Sequence, residues 1–149
     1  AKEIYDSIPV NRENWTVCYN SCGNRGIFLD EEGRVLLVDW SVSGNGDPFC
    51  DMATYVCGIP CPFEETMQIF TIYLCHEPSE KEQIRFMKYV AVAAFYWYMA
   101  ALYKDTEGGI GELPVYRFYK KFRFYSSKVL KKKSPKKPGR KENRYGDTI

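Results

Sequence analysis

A chain of 149 residues is long enough to form one domain with a sizeable core. Hydrophobic residues make up 45% of it and aromatic residues 16%, and this content excludes an intrinsically disordered chain. No apolar run reaches the length of a membrane-spanning helix, so we expect no contact with a membrane. The net charge of +2 hides an asymmetry, because thirteen lysines and arginines but only two acids lie from Arg117 onward.

The first predicted elements are short. Residues 2–8 favour a helix or turn that ends at Pro9, and the β-branched and aromatic run at 15–19 predicts a strand. A β-hairpin follows, in which residues 27–29 and 34–38 are joined by an acidic turn. Because residues 35–38 are all apolar, we expect the second strand to be buried. It ends in the carboxylate of Asp39, which then needs a cation or a hydrogen-bond donor beside it.

Two further carboxylates follow a glycine-rich turn at residues 41–46. Asp47 precedes Pro48, and Asp51 lies in the first turn of a predicted helix. The order strand, acid, turn, acid, helix suits magnesium and phosphate binding. The alternative is structural, with Asp47 capping the helix and Asp39 opening a turn. The residues alone leave both interpretations open.

Three more helices are predicted after the one that begins near Asp51. Residues 63–74 favour a partly buried helix, and residues 80–104 favour the longest helix, which the capping box of Ser79 and Glu82 opens. That helix is too apolar for the surface and is expected in the core. Residues 115–130 predict a last helix with one basic face.

We therefore expect one domain over residues 1–130 and a basic, disordered tail over residues 131–149. A tail rich in lysine can contact phosphate, so a component of a nucleic-acid assembly is one candidate function.

Six cysteines have no secretory signal ahead of them, so we expect reduced thiols in a cytoplasmic protein. The spacing of Cys18 and Cys22, together with Cys57 and Cys61, permits a structural zinc site. Zinc is the weaker interpretation, because Cys18 falls in a predicted strand and the glycines of a zinc knuckle are missing.

Three short motifs resemble a known signature: LVDW at 37–40, GDP at 46–48 and DMA at 51–53. They are similar to "I-D-W/Y-E … (G/N)-D-P-x-x-D-L-A" of choline/ethanolamine kinases and aminoglycoside phosphotransferases, and bacterial choline kinases look most similar. The resemblance implies the protein-kinase-like fold, here as an α+β, mainly helical C-terminal lobe with β-hairpins at the active-site end. It also implies that Asp39 holds magnesium, while Asp47 and Asp51 are structural acids.

The run CYNSCGNRGIFL at 18–29 resembles the catalytic loop of that family, C-H-N-D-x-x-x-x-N-I-L. In this register Asn20 matches, the family's His falls on Tyr19, its catalytic Asp on Ser21 and its metal-binding Asn on Gly26. Serine has no basic group to accept the substrate hydroxyl proton, and glycine offers no side-chain oxygen to a second magnesium. The resemblance therefore implies a catalytic loop whose signature side chains are replaced.

Aromatic residues on the helix at 80–104 are the candidate substrate site. Choline kinases carry W-x-x-W on the matching helix, where it holds a quaternary ammonium by cation–π attraction. Trp97 matches the first Trp, and Ala100 stands at the second. Tyr96 and Tyr103 compensate only if they face the same cleft, and such aromatic residues more often belong to the core.

The resemblance implies phosphorylation of choline or a similar amino alcohol, with ATP and magnesium as cofactors. The family also needs an N-terminal lobe with a glycine-rich loop and a lysine, and only seventeen residues precede the matching loop here. We therefore expect a C-terminal lobe alone, inactive in isolation, with a separate N-terminal lobe chain as a candidate partner. The alternative is a degenerate kinase-like module that binds a small cation or a protein partner.

Overall fold

The computed structural model describes residues 1–21, 23, 26–106 and 112–131. Most of the predicted tail, from residue 132 onward, lies outside the described residues. Within them the chain is α+β and mainly helical, as predicted. The elements are α1 (Lys2–Asp6), β1 (Thr16–Cys18), β2 (Ile27–Leu29), β3 (Val35–Leu37), β4 (Gly44–Gly46), α2 (Pro48–Gly58), α3 (Phe63–Leu74), α4 (Glu80–Thr106) and α5 (Glu112–Lys131).

The core is helical and centres on α4, which packs mainly against α5 and α2. Phe86 of α4 lies flat on Phe70 of α3, with 3.9 Å between the ring centroids. The inner face of α2 is closed by small and branched residues that let the helices approach. The prediction of a buried long helix is confirmed: its fully buried residues include Phe86, Val90, Ala91 and Ala94.

The predicted capping box at the start of α4 is also confirmed. The backbone N–H of Ser79 donates to Glu82 Oε2 at 2.8 Å, and the backbone N–H of Glu82 donates to Ser79 Oγ at 3.3 Å. The hydrogen bonds from Ser79 lower the pKa of the Glu82 carboxyl. Both exchanges satisfy N–H groups that the first turn of a helix leaves without partners. In the described chain no helix is both long and apolar enough to cross a bilayer.

The strands form two antiparallel pairs. β2 and β3 make the predicted hairpin, with Ile27 opposite Leu37 and Leu29 opposite Val35. The second pair joins β1 to β4, and this pairing was not predicted. In this pair β4 is Gly-Asn-Gly, which has low strand propensity and resembles a turn in sequence. Hydrogen bonds between the backbones of the two strands form the pair, and these bonds need no side chains.

One prediction about the hairpin was wrong. The strand at 35–38 was expected to be buried, but Val35 is 63% exposed and Leu37 is 40% exposed. Phe28 and Leu29 on the neighbouring strand are exposed as well. An apolar run shows that a strand suits burial, yet the described part of this chain provides nothing that covers the hairpin. The hairpin is therefore an exposed apolar surface beside a helical core.

Candidate active site

The loop that follows β1 is held to α2 by one carboxylate. Asp51, in the first turn of α2, accepts the backbone N–H of Tyr19 on Oδ2 at 2.8 Å and that of Asn20 on Oδ1 at 2.6 Å. The backbone N–H of Gly23 also donates to the carbonyl oxygen of Tyr55 in α2, at 3.1 Å. Because hydrogen bonds to an ionised acceptor are the strong ones, Asp51 ties this loop firmly to the helical core.

Asp47 is buried at the start of α2, where it is 6% exposed. It caps the helix by accepting the backbone N–H of Phe49 at 3.0 Å. Its other oxygen forms an ion pair with Arg85 and accepts the hydroxyl of Tyr89 at 2.8 Å, both from α4. Burial, followed by the hydrogen bond to Asp47, raises the pKa of Tyr89. The geometry of Asp47 is that of the structural alternative, a helix cap, with a second role in joining α2 to α4.

Arg85 and Tyr89 are the site residues that the sequence did not single out. The guanidinium of Arg85 lies 4.9 Å from the ring centroid of Phe49, and its Nε is buried without a hydrogen-bond partner. The signal in the sequence was a lone arginine among the apolar residues of a core helix, since a cation is rarely buried there unless it is paired. Its partner lies 38 positions away and could not be identified from spacing.

Tyr19, Gly26 and Val38 form one packed unit at the position of the candidate catalytic loop. The Tyr19 hydroxyl donates to the carbonyl oxygen of Val38. The backbone N–H of Val38 donates to the carbonyl oxygen of Gly26 at 2.8 Å. Gly26 has φ +73°. A Cβ there would overlap the Tyr19 hydroxyl and lie 2.5 Å from the Val38 carbonyl oxygen. The Tyr19 ring also meets Trp40 edge-on, at 5.1 Å between centroids. Tyr19 thus takes the space that a side chain at position 26 would enter.

Asp39 comes two residues after the end of β3, immediately after Val38, and is therefore next to this unit. It is exposed, it has φ +62°, and its Oδ1 accepts the hydroxyl of Ser41 at 2.5 Å. Aspartate tolerates this left-handed backbone better than most residues. Among the described residues no three His, Cys, Asp or Glu side chains are grouped to hold a metal. The carboxylate of Asp39 can offer oxygen to a magnesium ion, with water and phosphate supplying the other ligands.

The other loop positions contribute mainly through structure. Asn20 has φ +59° and donates its side-chain N–H to the carbonyl oxygen of Val42 at 3.2 Å, which connects the loop to the segment after Asp39. Ser21 is half-buried between Asn20 and Gly23. The hydroxyl of Ser21 cannot act as a base at neutral pH.

The three aromatic residues proposed for substrate binding lie on α4. The rings of Tyr96 and Trp97 meet edge-on at 5.3 Å, and Trp97 stacks on Phe118 of α5 at 6.4 Å. Tyr103 lies about two helical turns beyond Tyr96 on the same face. Tyr96 and Tyr103 are 64% and 67% exposed. Trp97 therefore belongs to the packing of α4 on α5, with Tyr96 at its edge, and Tyr103 lies further along the helix.

Among the described residues no cysteine forms a disulfide. Cys18 and Cys50 share one environment, near the carboxylates of Asp47 and Asp51. Burial raises the pKa of both Cys18 and Cys50 to about 11, and the nearby carboxylates of Asp47 and Asp51 add to this. Cys57 points at the carbonyl oxygen of Val90. The zinc interpretation also used Cys22, which lies outside the described residues.

No family model and no curated protein matches this sequence. Solved structures do match. A choline/ethanolamine kinase family protein from Mesorhizobium loti has a TM-score of 0.62 at 17% identity, covering 85% of this chain and 42% of the other. Choline kinase LicA from Streptococcus pneumoniae has a TM-score of 0.61 at 21% identity, over 85% and 43% of the two chains.

The chain has the fold of a choline-kinase C-terminal lobe. An ethanolamine kinase from Plasmodium vivax matches as well, with a TM-score of 0.57 at 13% identity, over 89% of this chain and 39% of the other. A further LicA structure was solved in complex with AMP. The chain spans about two fifths of the length of these choline kinase-like structures. The fold predicted from the motifs around Asp39 and Asp51 is therefore confirmed.

Proposed function

We propose that this chain is the C-terminal lobe of a choline-kinase-like phosphotransferase that acts on choline or a similar amino alcohol with ATP and magnesium. The observation that carries the proposal is the position of Asp39. In a fold shared with choline kinases, hydrogen bonds of Val38 to Tyr19 and Gly26 hold this exposed carboxylate against the loop that Asp51 ties to the core. A carboxylate beside a loop that is held by such hydrogen bonds suits the coordination of magnesium on a nucleotide phosphate.

The exposed hairpin supports a second part of the proposal, which concerns an N-terminal lobe. Its apolar side chains flank Asp39 and are uncovered in the described part of the chain, with Phe28 54% and Leu36 45% exposed. An apolar surface of this kind marks an interaction site. We infer that an N-terminal lobe, in the same polypeptide or in a separate chain, covers it and brings the groups that bind ATP.

The isolated chain is expected to phosphorylate choline, ethanolamine and an aminoglycoside at background rates. Phosphoryl transfer depends on positioning and electrostatic stabilisation, and the loop offers neither a base at Ser21 nor a metal ligand at Gly26. Loss of single members of such a set costs on the order of 10²–10⁴ in rate. The measurement is ATP consumption with each acceptor. Turnover that disappears in Asp39→Ala would contradict the prediction and show that the replaced loop is competent.

A degenerate binding module for a small cation is the second candidate, because Tyr96 and Trp97 form an aromatic pair at the surface of α4. If it is correct, choline should bind more tightly than its neutral carbon isostere, 3,3-dimethyl-1-butanol, by roughly fivefold, since cation–π attraction is worth about 1 kcal/mol at exposed sites. Tyr96→Leu should remove this difference, and Tyr5→Leu, at a similarly exposed tyrosine on α1, should leave it. Equal binding of the two alcohols, measured by tryptophan fluorescence, would exclude this function.

A further inference from the structure

A cavity lies between α5 and the segment that joins α2 to α3. It has a volume of about 690 Å³, within the range of sites for small organic ligands. One wall is the segment of residues 60–62 with Phe63, and the other is one face of α5. Among its described lining residues none belongs to the candidate active site, and so this cavity requires its own explanation.

The body of the cavity is aromatic. Phe63, at the start of α3, lies 5.7 Å from Phe124 and 6.1 Å from Tyr125, measured between ring centroids. Tyr125 is buried, and burial raises its pKa to about 12, so it stays neutral. Phe124 and Tyr116 are 43% and 60% exposed. The ammonium of Lys128 lies 4.0 Å from the ring centroid of Phe63 and 4.9 Å from that of Phe124, so the aromatic surface of the cavity also carries positive charge.

The charges of the cavity are all positive. Arg117, Lys120 and Lys121 line it, and no aspartate or glutamate is among its described lining residues. Lys121 is engaged, because its ammonium donates to the carbonyl oxygens of Val56 at 2.5 Å and Ile59 at 2.6 Å, at the end of α2. It therefore neutralises the negative end of that helix. Arg117 and Lys120 make no ion pair within the described chain.

Arg117 and Lys120 are the cations of the cavity that an anion would meet. The Nε of Arg117 is buried without a hydrogen-bond partner among the described residues, so an anion can meet this guanidinium only at its terminal nitrogens. Lys120 lies 5.3 Å from the ring centroid of Tyr116, so its ammonium stands over the aromatic wall. The N-terminus of α3, at Phe63, has no side-chain cap and adds positive potential at the same rim. Glu64 and Glu65 of its first turn are exposed and do not line the cavity.

We propose that this cavity binds a small organic anion with an aromatic body, whose phosphate or carboxylate meets Arg117 and Lys120 and whose ring packs against Phe63 and Phe124. Charge complementarity favours this occupant over the chain's own residues 132–149, which are strongly basic. The site is separate from Asp39, so the proposal does not depend on kinase activity.

The test is calorimetric titration of the full chain with 1-naphthyl phosphate, which is expected to bind with a Kd of about 100 μM. The Arg117→Gln/Lys120→Gln variant should bind at least about tenfold more weakly, since each change removes a charge-assisted contact. Arg123→Gln removes the same charge from an exposed position of α5 outside the cavity and should change the Kd by less than about twofold. If the double variant misfolds, the single variant Lys120→Gln, at an exposed residue, should still weaken the binding of 1-naphthyl phosphate.

Two further ligands and one further variant make the result decisive. Inorganic phosphate and neutral 1-naphthalenemethanol should each bind at least about tenfold more weakly than 1-naphthyl phosphate, because each lacks half of the recognised structure. Asp39→Ala should leave the Kd unchanged. Four results would each overturn the proposal. They are a titration without saturable binding, a rise in Kd for Arg123→Gln as large as that for the double variant, equal affinity for 1-naphthyl phosphate and the neutral compound, and loss of binding in Asp39→Ala. The last outcome would move the ligand to the candidate active site.

Discussion

Replacement of Asp47 by alanine is expected to lower the free energy of unfolding by about 3–5 kcal/mol. The carboxylate caps α2 and pairs with Arg85 while it accepts the Tyr89 hydroxyl, all in a buried position. Its removal leaves a guanidinium and a hydroxyl on α4 without their acceptor, and the Arg85 Nε already lacks one. The cost of these unpaired groups exceeds the value of the cap, which is about 1 kcal/mol. Chemical denaturation followed by circular dichroism measures the change.

The matched control is Asp6→Ala, which removes an aspartate from an exposed pair with Lys2. Exposed pairs contribute about 0–1 kcal/mol, so this variant should stay near the parent chain. In the double variant Asp47→Ala/Arg85→Met, part of the lost stability should return, because the orphaned cation is gone. A loss below about 1 kcal/mol in Asp47→Ala would show that solvent reaches Arg85 and that this network does not join α2 to α4.

The second large effect is expected at Gly26. In Gly26→Ala the added Cβ overlaps the Tyr19 hydroxyl and crowds the Val38 carbonyl oxygen, in a backbone conformation that alanine already disfavours. The Val38 amide, which donates to Gly26, reports on this unit directly. We expect its hydrogen exchange to become at least about tenfold faster than in Gly33→Ala.

Gly33 makes this comparison sharp. It lies in the turn of the same hairpin and has φ +76°, close to that of Gly26, but a Cβ there meets nothing within 4 Å. Gly33→Ala therefore carries the backbone cost of about 1–2 kcal/mol without the overlap. Equal exchange in the two variants would show that the Tyr19 ring moves aside freely and that the unit is not rigid.

This steric relation affects any attempt to restore a metal ligand. The Cβ of an asparagine at position 26 would overlap the same atoms as the Cβ of alanine. A second substitution that removes the Tyr19 hydroxyl relieves only one of these two overlaps. The Val38 carbonyl oxygen stays 2.5 Å from the new Cβ, so the backbone must shift too. Gly26 and Tyr19 thus depend on each other, and a loop that carries both differs in shape as well as in its functional groups.

Features that the sequence predicted well arise from neighbouring residues. The capping box of Ser79 and Glu82 spans three positions, and the hairpin is set by a short turn, so both could be identified without knowledge of the fold. The acids Asp47 and Asp51 were located by their motif. Their partners were not, because Arg85 and the backbone of Tyr19 lie more than thirty positions away along the chain.

Other features depend on information that a linear pattern lacks. The strand β4 consists of Gly-Asn-Gly, whose main chain alone pairs with β1, so its composition indicated a turn. The apolar run at 35–38 indicated a strand that suits burial. Whether the strand is buried depends on which other segments or partners pack against it, and the run itself does not contain this information. The direction of the Tyr19 ring, which explains the glycine at position 26, follows only from the path of the loop.

The exposed hairpin has a consequence for the thermodynamics of association. An isolated pair of strands is marginally stable in water, so a partner that covers β2 and β3 must also order them. The free energy spent on this ordering lowers the observed affinity below what the buried area suggests. The ordering of the hairpin is also linked to the order of the loop, because Val38 forms hydrogen bonds with both Tyr19 and Gly26. Association at the hairpin would therefore reduce the motion of the loop beside Asp39, with no direct contact to it.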